Sequence, residues 1–328
     1  MSKIKVIAVD NGWQQTKSKN YSFKSGLARG ETSSGIGDGD ILVFEGKHYI
    51  IASESMPHKP DKTIDDDHFI LTLFAIAKEL THDNMDFLAD LNKNGATEIE
   101  LVVGLPPKDY QRQKEGFAKY FQREKVSFKF NSLDIHIEIT HVFVFPQAYA
   151  AAIALREKFK GSNLTNVVDI GGHTADCLRV LKDFKFDGDT VDSLDDKVGV
   201  NALYALIKKK ARANGGKKIL EDTITEILLN DPITIKNSSK ERIDLVQDTA
   251  KEFTKRLLGK IANPDEVGFD LTEDTTLFVG GGALLLKEFI ENSELVAKPV
   301  FADSDKDNVT GYEMLHKVRT RPKTSVSA

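Results

Sequence analysis

The chain has 328 residues, of which 40% are hydrophobic and one is a cysteine. That length suggests about two domains with sizeable cores, and a lone Cys177 excludes an internal disulfide or a cysteine-rich zinc site. With 45 basic against 50 acidic residues the net charge is −5, which argues against direct gripping of a nucleic-acid backbone, and no run of about 18 apolar residues marks a membrane span. The amino terminus lacks the apolar stretch of a secretory signal, and N-x-[ST] matches such as those at Asn163, Asn237 and Asn308 therefore lack a secretory context. A cytoplasmic protein is expected, without nucleic acid or membrane as direct partners.

Lys3 to Val9 alternates and is rich in β-branched residues, which predicts a strand ending at Asp10. Asn11-Gly12 is a turn signal, with Trp13 to Lys19 returning beside the strand. Arg29 to Asp40 is polar and glycine-rich. Ile41 to Ala52 then predicts two short strands reversing at Glu45-Gly46, all within a small mobile subdomain over about residues 20–65. Asp38 and Asp40 belong to a solvated loop, because the other ligands of a calcium loop are missing. Asp65, Asp66 and Asp67 precede Phe69 to Leu80, apolar nearly all round, which predicts a buried helix with acidic residues at its positive end. Neighbouring side chains on a turn point in different directions, so these aspartates are not read as a metal site.

Glu98 to Val103 predicts a strand closed by Gly104-Leu105-Pro106-Pro107, and Lys108 to Phe121 a polar helix. Isoleucines 135, 137 and 139 mark one strand and His141 to Phe145 another. Pro146-Gln147 then opens an alanine-rich helix through Lys158. The second half repeats the plan. Asn166 to Ile170 and Ala175 to Leu181 are strands around a Gly171-Gly172 turn, and Val198 to Ala211 is a helix. Ile243, Val246, Ala250, Phe253, Leu257 and Ile261 form the stripe of an amphipathic helix. Thr276 to Val279 is a strand, Gly280-Gly281-Gly282 a tight bend and Ala283 to Glu291 a helix. Lysines 208–210 and 217–218 are solvated surface, and the tail after Lys317 is disordered.

The informative feature is a repeat. Asp10-x-Gly12 and Asp169-x-Gly171 each end a β-rich run and begin a reversal, nearly half a chain apart. Glycines in a tight turn let backbone N–H groups approach phosphate oxygens, and each aspartate is an oxygen ligand suited to magnesium or its waters. Gly280-Gly281-Gly282, between strand and helix, lets a nucleotide lie against backbone near a helix amino terminus. Neither the P-loop pattern nor a complete Gly-x-Gly-x-x-Gly is present.

This order of hairpin, connecting helix, second hairpin and glycine motif resembles the superfamily of actin, sugar kinases and heat-shock chaperone ATPases, over nearly the whole chain. Within it, Asp10-Asn11-Gly12-Trp13-Gln14-Gln15-Thr16-Lys17, Gly104-Leu105-Pro106-Pro107, Val167 to Asp176 and Leu277 to Ala283 resemble motifs of the bacterial, plasmid and phage actin-like ATPases of the ParM type. The resemblance implies an α/β actin-like fold: two duplicated RNase H-like domains with a nucleotide cleft between them. Domain I would span 1–160 plus 305–328, and domain II 161–304 with a helical subdomain over about 200–265. ATP, or GTP in its place, and Mg2+ would be the cofactors. Asp10 and Asp169 would hold the metal through water, and Lys17 would place its ammonium on the phosphates. Asn11, Gly12, Trp13, Gln14, Gly171, Gly172, His173, Thr174, Gly280, Gly281 and Gly282 would contact the nucleotide. Gln147 would orient the attacking water, with Asp169 its catalytic companion; a neutral amide is a poor proton acceptor, so slow hydrolysis is expected.

The sequence departs from the family pattern at Gln14 and Gln15, which replace a small residue and an asparagine. His173 is either a phosphate donor or part of the turn. Asp176 either hydrogen-bonds the turn or joins the metal shell, and Cys177 is a core residue. The resemblance implies a protein that polymerises with ATP, itself as its main partner, and segregates plasmid DNA through a DNA-binding adaptor. The alternatives are a small-molecule kinase of the same superfamily and a nucleotide-sensing regulator that does not polymerise. The stretch after the glycine motif is too short for the peptide-binding domain of a chaperone.

Overall fold

Alternating, β-branched residues at the amino terminus form β1 (Lys5–Asn11), and the Gly12 turn returns it as β2 (Gln15–Ser18). A computed structural model of the protein describes residues 4–30, 39–57, 59, 61–82, 95–194, 197–215 and 218–321. The chain divides into two compact units, Met1–Ala154 with Asn308–Ala328, and Leu155–Asp307.

In the first unit, β3 (Ser22–Lys24), β4 (Leu27–Gly30), β5 (Ile41–Phe44) and β6 (Lys47–Ile51) follow. The β5–β6 reversal falls at Glu45-Gly46 as expected; both residues have positive φ, 49° and 74°, the backbone of a two-residue hairpin turn. Next come α1 (Asp67–Thr81), β7 (Thr97–Leu105), α2 (Pro107–Phe121), β8 (Val126–Phe130), β9 (Leu133–Pro146) and α3 (Tyr149–Ala154). The strands form one sheet in the order β3-β2-β1-β7-β9-β8-β5-β6-β4, so residues 41–51 join it through β5 against β8.

Two expectations change here. The segments 135–139 and 141–145 are one strand, β9, with a register shift between Ile139 and His141. Thr140 and His141 both face solvent, so the bulge breaks the alternation without ending the strand. Pro146 ends β9 and does not open a helix. The helix is only α3, followed by a 3-10 turn at Arg156–Lys158.

The second unit contains β10 (Leu164–Ile170), β11 (Ala175–Leu181), β12 (Lys185–Leu194), α4 (Val200–Ala213), α5 (Glu221–Leu228), α6 (Pro232–Asn237), α7 (Lys240–Ala262), β13 (Thr275–Val279), α8 (Gly281–Glu291) and β14 (Lys298–Phe301). Its sheet runs β12-β11-β10-β13-β14. Two antiparallel pairings are followed by two parallel ones, as in β3-β2-β1-β7-β9 of the first unit. The halves therefore share one layout, the duplication that the paired Asp-x-Gly turns imply. The stripe on α7 packs Val246, Ala250, Phe253, Leu257 and Ile261 into the core of this unit.

Helix α9 (Asp307–Arg319) carries the chain back to the first unit. Because strand side chains alternate, Ile7, Val9, Leu101, Val103, Val142 and Val144 face the core with α1 and α2. Ala8, Val102, Phe143 and Phe145 face the other way, where Ala150 of α3 and Val309 and Tyr312 of α9 cover them. The helix continues past Lys317, where disorder is expected; residues 322–328 lie outside the described residues, as do residues 31–38 of the glycine-rich segment and Lys217.

Asp40 pairs with Lys78 and accepts from Asn131, while Lys59, Arg29 and Arg123 pair with the aspartates that open α1. Lys208 and Lys210 pair with Glu221 and Glu252. No helix among the described residues is long and apolar enough to cross a membrane.

Candidate nucleotide site

In the first unit Asp10 lies at the end of β1, only 6% exposed, opposite Lys17 on β2. Directly opposed residues point to the same face of a sheet, so the ammonium and the carboxylate share one side. A Cβ on Gly12 would lie 2.6 Å from the carbonyl oxygen of Gln15, so the turn is too tight for any other residue. The tip is held through its carbonyl groups. Asn11 O accepts from Lys62 Nζ at 2.6 Å, Gly12 O from Ser25 Oγ at 2.5 Å, and Gln14 O from Ser25 N at 3.0 Å and Ser55 Oγ at 2.8 Å. Tying down the oxygens fixes the peptide planes, and with them the directions of the N–H groups.

Below the tip, Trp13 meets His68 edge-on at 4.7 Å, and Lys62 lies 5.9 Å from the Trp13 ring. Asn11 donates to Thr72 at 2.8 Å. His68, 1% exposed, is kept neutral by burial and then by the positive charges of Lys62 and Lys59, which together hold its pKa well below 6.5. The sequence pattern did not single out Lys62, His68, Ser25 or Ser55. Each acts through a contact distant along the chain, and only the apolar run beginning at Phe69 hints that its neighbour His68 is buried.

Gln147 follows the end of β9 and donates through Nε2 to Asp10 Oδ1 at 2.5 Å. Two residues singled out separately, Asp10 and Gln147, are thus in contact, with Asn11, Gly12, Trp13, Gln14 and Lys17 in the same hairpin as Asp10.

In the second unit Asp169 is the penultimate residue of β10, opposite Asp176 on β11. Gly171 N donates to Thr174 O at 2.9 Å and closes the turn. The turn carbonyls then cap α4: Gly171 O accepts from Val200 N at 3.1 Å and Gly172 O from Asn201 N at 2.9 Å. The Asn201 amide and the His173 ring nitrogen Nε2 are 3.0 Å apart, so His173 is packed into this capped turn. Burial, and then the carboxylates of Asp176, Asp192 and Asp169, push the Cys177 thiol pKa well up, which fits a core residue.

The glycine bend completes this half. Gly280 has φ 86°, and a Cβ there would overlap the Asp169 carboxylate. A Cβ on Gly282 would press on Ile170 O at 2.7 Å and Val200 Cγ2 at 2.8 Å. Gly281 differs: a Cβ there would meet nothing within 4 Å. Packing therefore requires Gly280 and Gly282, whereas Gly281 leaves room at the amino end of α8.

A family model described as the N-terminal domain of actin-like proteins matches residues 3–149, and one described as the C-terminal domain of the archaeal MreB-like actin homologue matches residues 167–292. The chain belongs to the actin-like proteins. Among curated protein sequences none matches this actin-like chain. Its fold is similar to that of the archaeal actin homologue Ta0583, with TM-score 0.73 at 18% identity, covering 96% of this chain and 99% of that one. A ParM filament of fifteen strands from Clostridium botulinum gives 0.69 at 19%, covering 96% and 100%. The actin-like protein Alp7A gives 0.71 at 15%, covering 96% of each. Ta0583 is also known in complex with ADP, a structure similar to this one at TM-score 0.66 and 18% identity, covering 96% and 100%. The actin-like chain therefore has the two-domain actin-like fold.

Proposed function

We propose that this actin-like chain binds and slowly hydrolyses ATP with Mg2+, and polymerises in response to the nucleotide. The observation that carries the reading is the duplicated layout: in each unit the corresponding strand has an aspartate as its penultimate residue, beside a glycine turn whose backbone is tied down. The first hairpin and Lys17 take phosphate oxygens, as do Gly171, Gly172, His173 and Thr174. Gly281 offers adenosine the open space at the amino end of α8, whose helix dipole favours the negative charge of the phosphates attached to it.

Asp10 and Asp169 suit a hydrated magnesium ion, which neutralises phosphate charge when bound. Among the described residues no three His, Cys, Asp or Glu side chains group as ligands. Gln147 supplies a carboxamide that positions water without accepting its proton, so placement carries the catalysis.

Filament formation is favoured by the filament state of the fifteen-stranded ParM. ATP shifts subunits toward assembly only through its higher affinity for the assembled conformation, and hydrolysis removes that bias. Head-to-tail contacts that do not close produce an open polymer. Plasmid segregation runs through a DNA-binding adaptor, in keeping with a net charge of −5. Sedimentation and light scattering with ATP, GTP, ADP and no nucleotide test the reading. A polymer that forms with ATP and shrinks as phosphate is released is expected. No polymer across a wide concentration range would refute filament formation, and ATP-dependent phosphorylation of a sugar or acid would replace it with a kinase.

A further inference from the structure

Helix α9 brings to Asp10 a side chain that no motif assigns. Asn308 is 8% exposed, and its Oδ1 accepts the backbone N–H of Ala148 at 2.9 Å while its Nδ2 faces Asp10 Oδ2 at 3.5 Å. A backbone N–H only donates, so the first contact decides which end of the amide is oxygen and turns the NH2 toward the carboxylate. The other carboxylate oxygen takes the Gln147 NH2 at 2.5 Å. The Gln147 amide is thereby oriented in turn, with Oε1 as the end directed away from Asp10.

Ala148 has φ 57°, a left-handed conformation that alanine keeps only where its surroundings hold it. It is fully buried and directly follows Gln147, so its backbone sets where the Gln147 side chain starts. The approach of α9 is itself enforced. A Cβ on Gly311 would overlap the carbonyl of Ala150, and Tyr312 fills the space beside Gly104. The buried Asn308 of the Asn-Val-Thr triplet is thus committed to the interior.

We propose that Asn308 is a positioning residue for nucleotide hydrolysis, holding Ala148 left-handed and Asp10 in place so that Gln147 presents Oε1 to the attacking water. The inference rests on the nucleotide reading above, and Asn308 itself touches no reacting atom.

The experiment compares ATP turnover per folded molecule and ATP affinity in wild type, Asn308→Ala, Asn308→Asp, Gln147→Ala and the double alanine variant. Asn308→Ala should lower kcat about ten- to a hundredfold, the scale of misplaced catalytic groups, with affinity kept within about threefold. In the Gln147→Ala background it should cost nothing further, because residues acting as one unit are not additive. Asn308→Asp keeps an acceptor for Ala148 but replaces the NH2 that faces Asp10 with an oxygen, so its turnover should stay below wild type. Losses that multiply in the double variant, or an Asn308→Ala or Asn308→Asp turnover equal to wild type, would each overturn the proposal. A wild-type chain that hydrolyses no nucleoside triphosphate would overturn the nucleotide reading and this one with it, before any variant is compared.

Discussion

Gly104 lies so close to Tyr312 that a Cβ on the glycine would overlap the tyrosine hydroxyl and Cζ. The Gly-Leu-Pro segment thus owes its glycine to a helix more than two hundred residues later. Gly104→Ala should cost about 1–3 kcal/mol by overpacking, read as a lower urea midpoint. The penalty should shrink in a Tyr312→Leu background, since the two positions couple. An alanine variant as stable as wild type would contradict the packing.

The three glycines of the β13–α8 bend should separate into two kinds. Gly280→Ala and Gly282→Ala should destabilise the fold, because one needs a positive φ and both meet backbone or buried side chains. Gly281→Ala should be neutral or stabilise by up to about 1 kcal/mol, and Gly281→Val should weaken ATP at least about tenfold, or 1.4 kcal/mol, without lowering the melting temperature. Thermal scans with and without ATP separate the two effects.

His68 predicts an acid sensitivity. Its pKa is depressed in the fold by burial and by Lys62 and Lys59, while the unfolded chain takes up a proton near 6.5. The unfolded state then binds more protons, so stability should fall as pH drops below about 6.5, by up to about 1.4 kcal/mol per unit, until the folded pKa is reached. Substituting His68→Phe should remove one proton's share of that slope. Urea titrations at pH 5, 6 and 7 would show it, and an unchanged slope would dismiss the role of His68.

Asp169→Ala should abolish hydrolysis, and Asp176→Asn, which removes the carboxylate opposite it on β11, tests whether that neighbour shares the role. Gln147→Ala should lower kcat more than it weakens ATP, the pattern of an interaction used in the reaction and not in binding. Equal losses in both constants would remove Gln147 from positioning water. Single-turnover phosphate release and a fluorescent-nucleotide titration supply the two numbers.

Both hairpins are legible in the sequence because their signals are local: alternation, then a turn residue, then alternation again. The stripe of α7 is legible for the same reason. The bulge of β9 is not, because two successive solvent-facing residues, Thr140 and His141, look like an end of the strand. Pro146 misleads because it suits a first helical turn as well as the last position of a strand, and the choice is made by pairing with Leu105. The turns around Asp10 and Asp169 follow from Asp-x-Gly and the glycine run. Their supports, Lys62 on Asn11 and Asn308 on Ala148, join residues 51 and 160 positions apart, where no periodicity reaches.

The return of α9 to the first unit has a consequence for synthesis. Residues 155–307 form a contiguous unit that can fold once they have emerged from the ribosome, but the first unit lacks Val309 and Tyr312 until the whole of that unit has been made. Until then Ala8, Val102, Phe143 and Phe145 have no cover from that helix. Of the two units, the one begun earlier is thus the one completed later, and its open apolar face is where a nascent chain would need shielding.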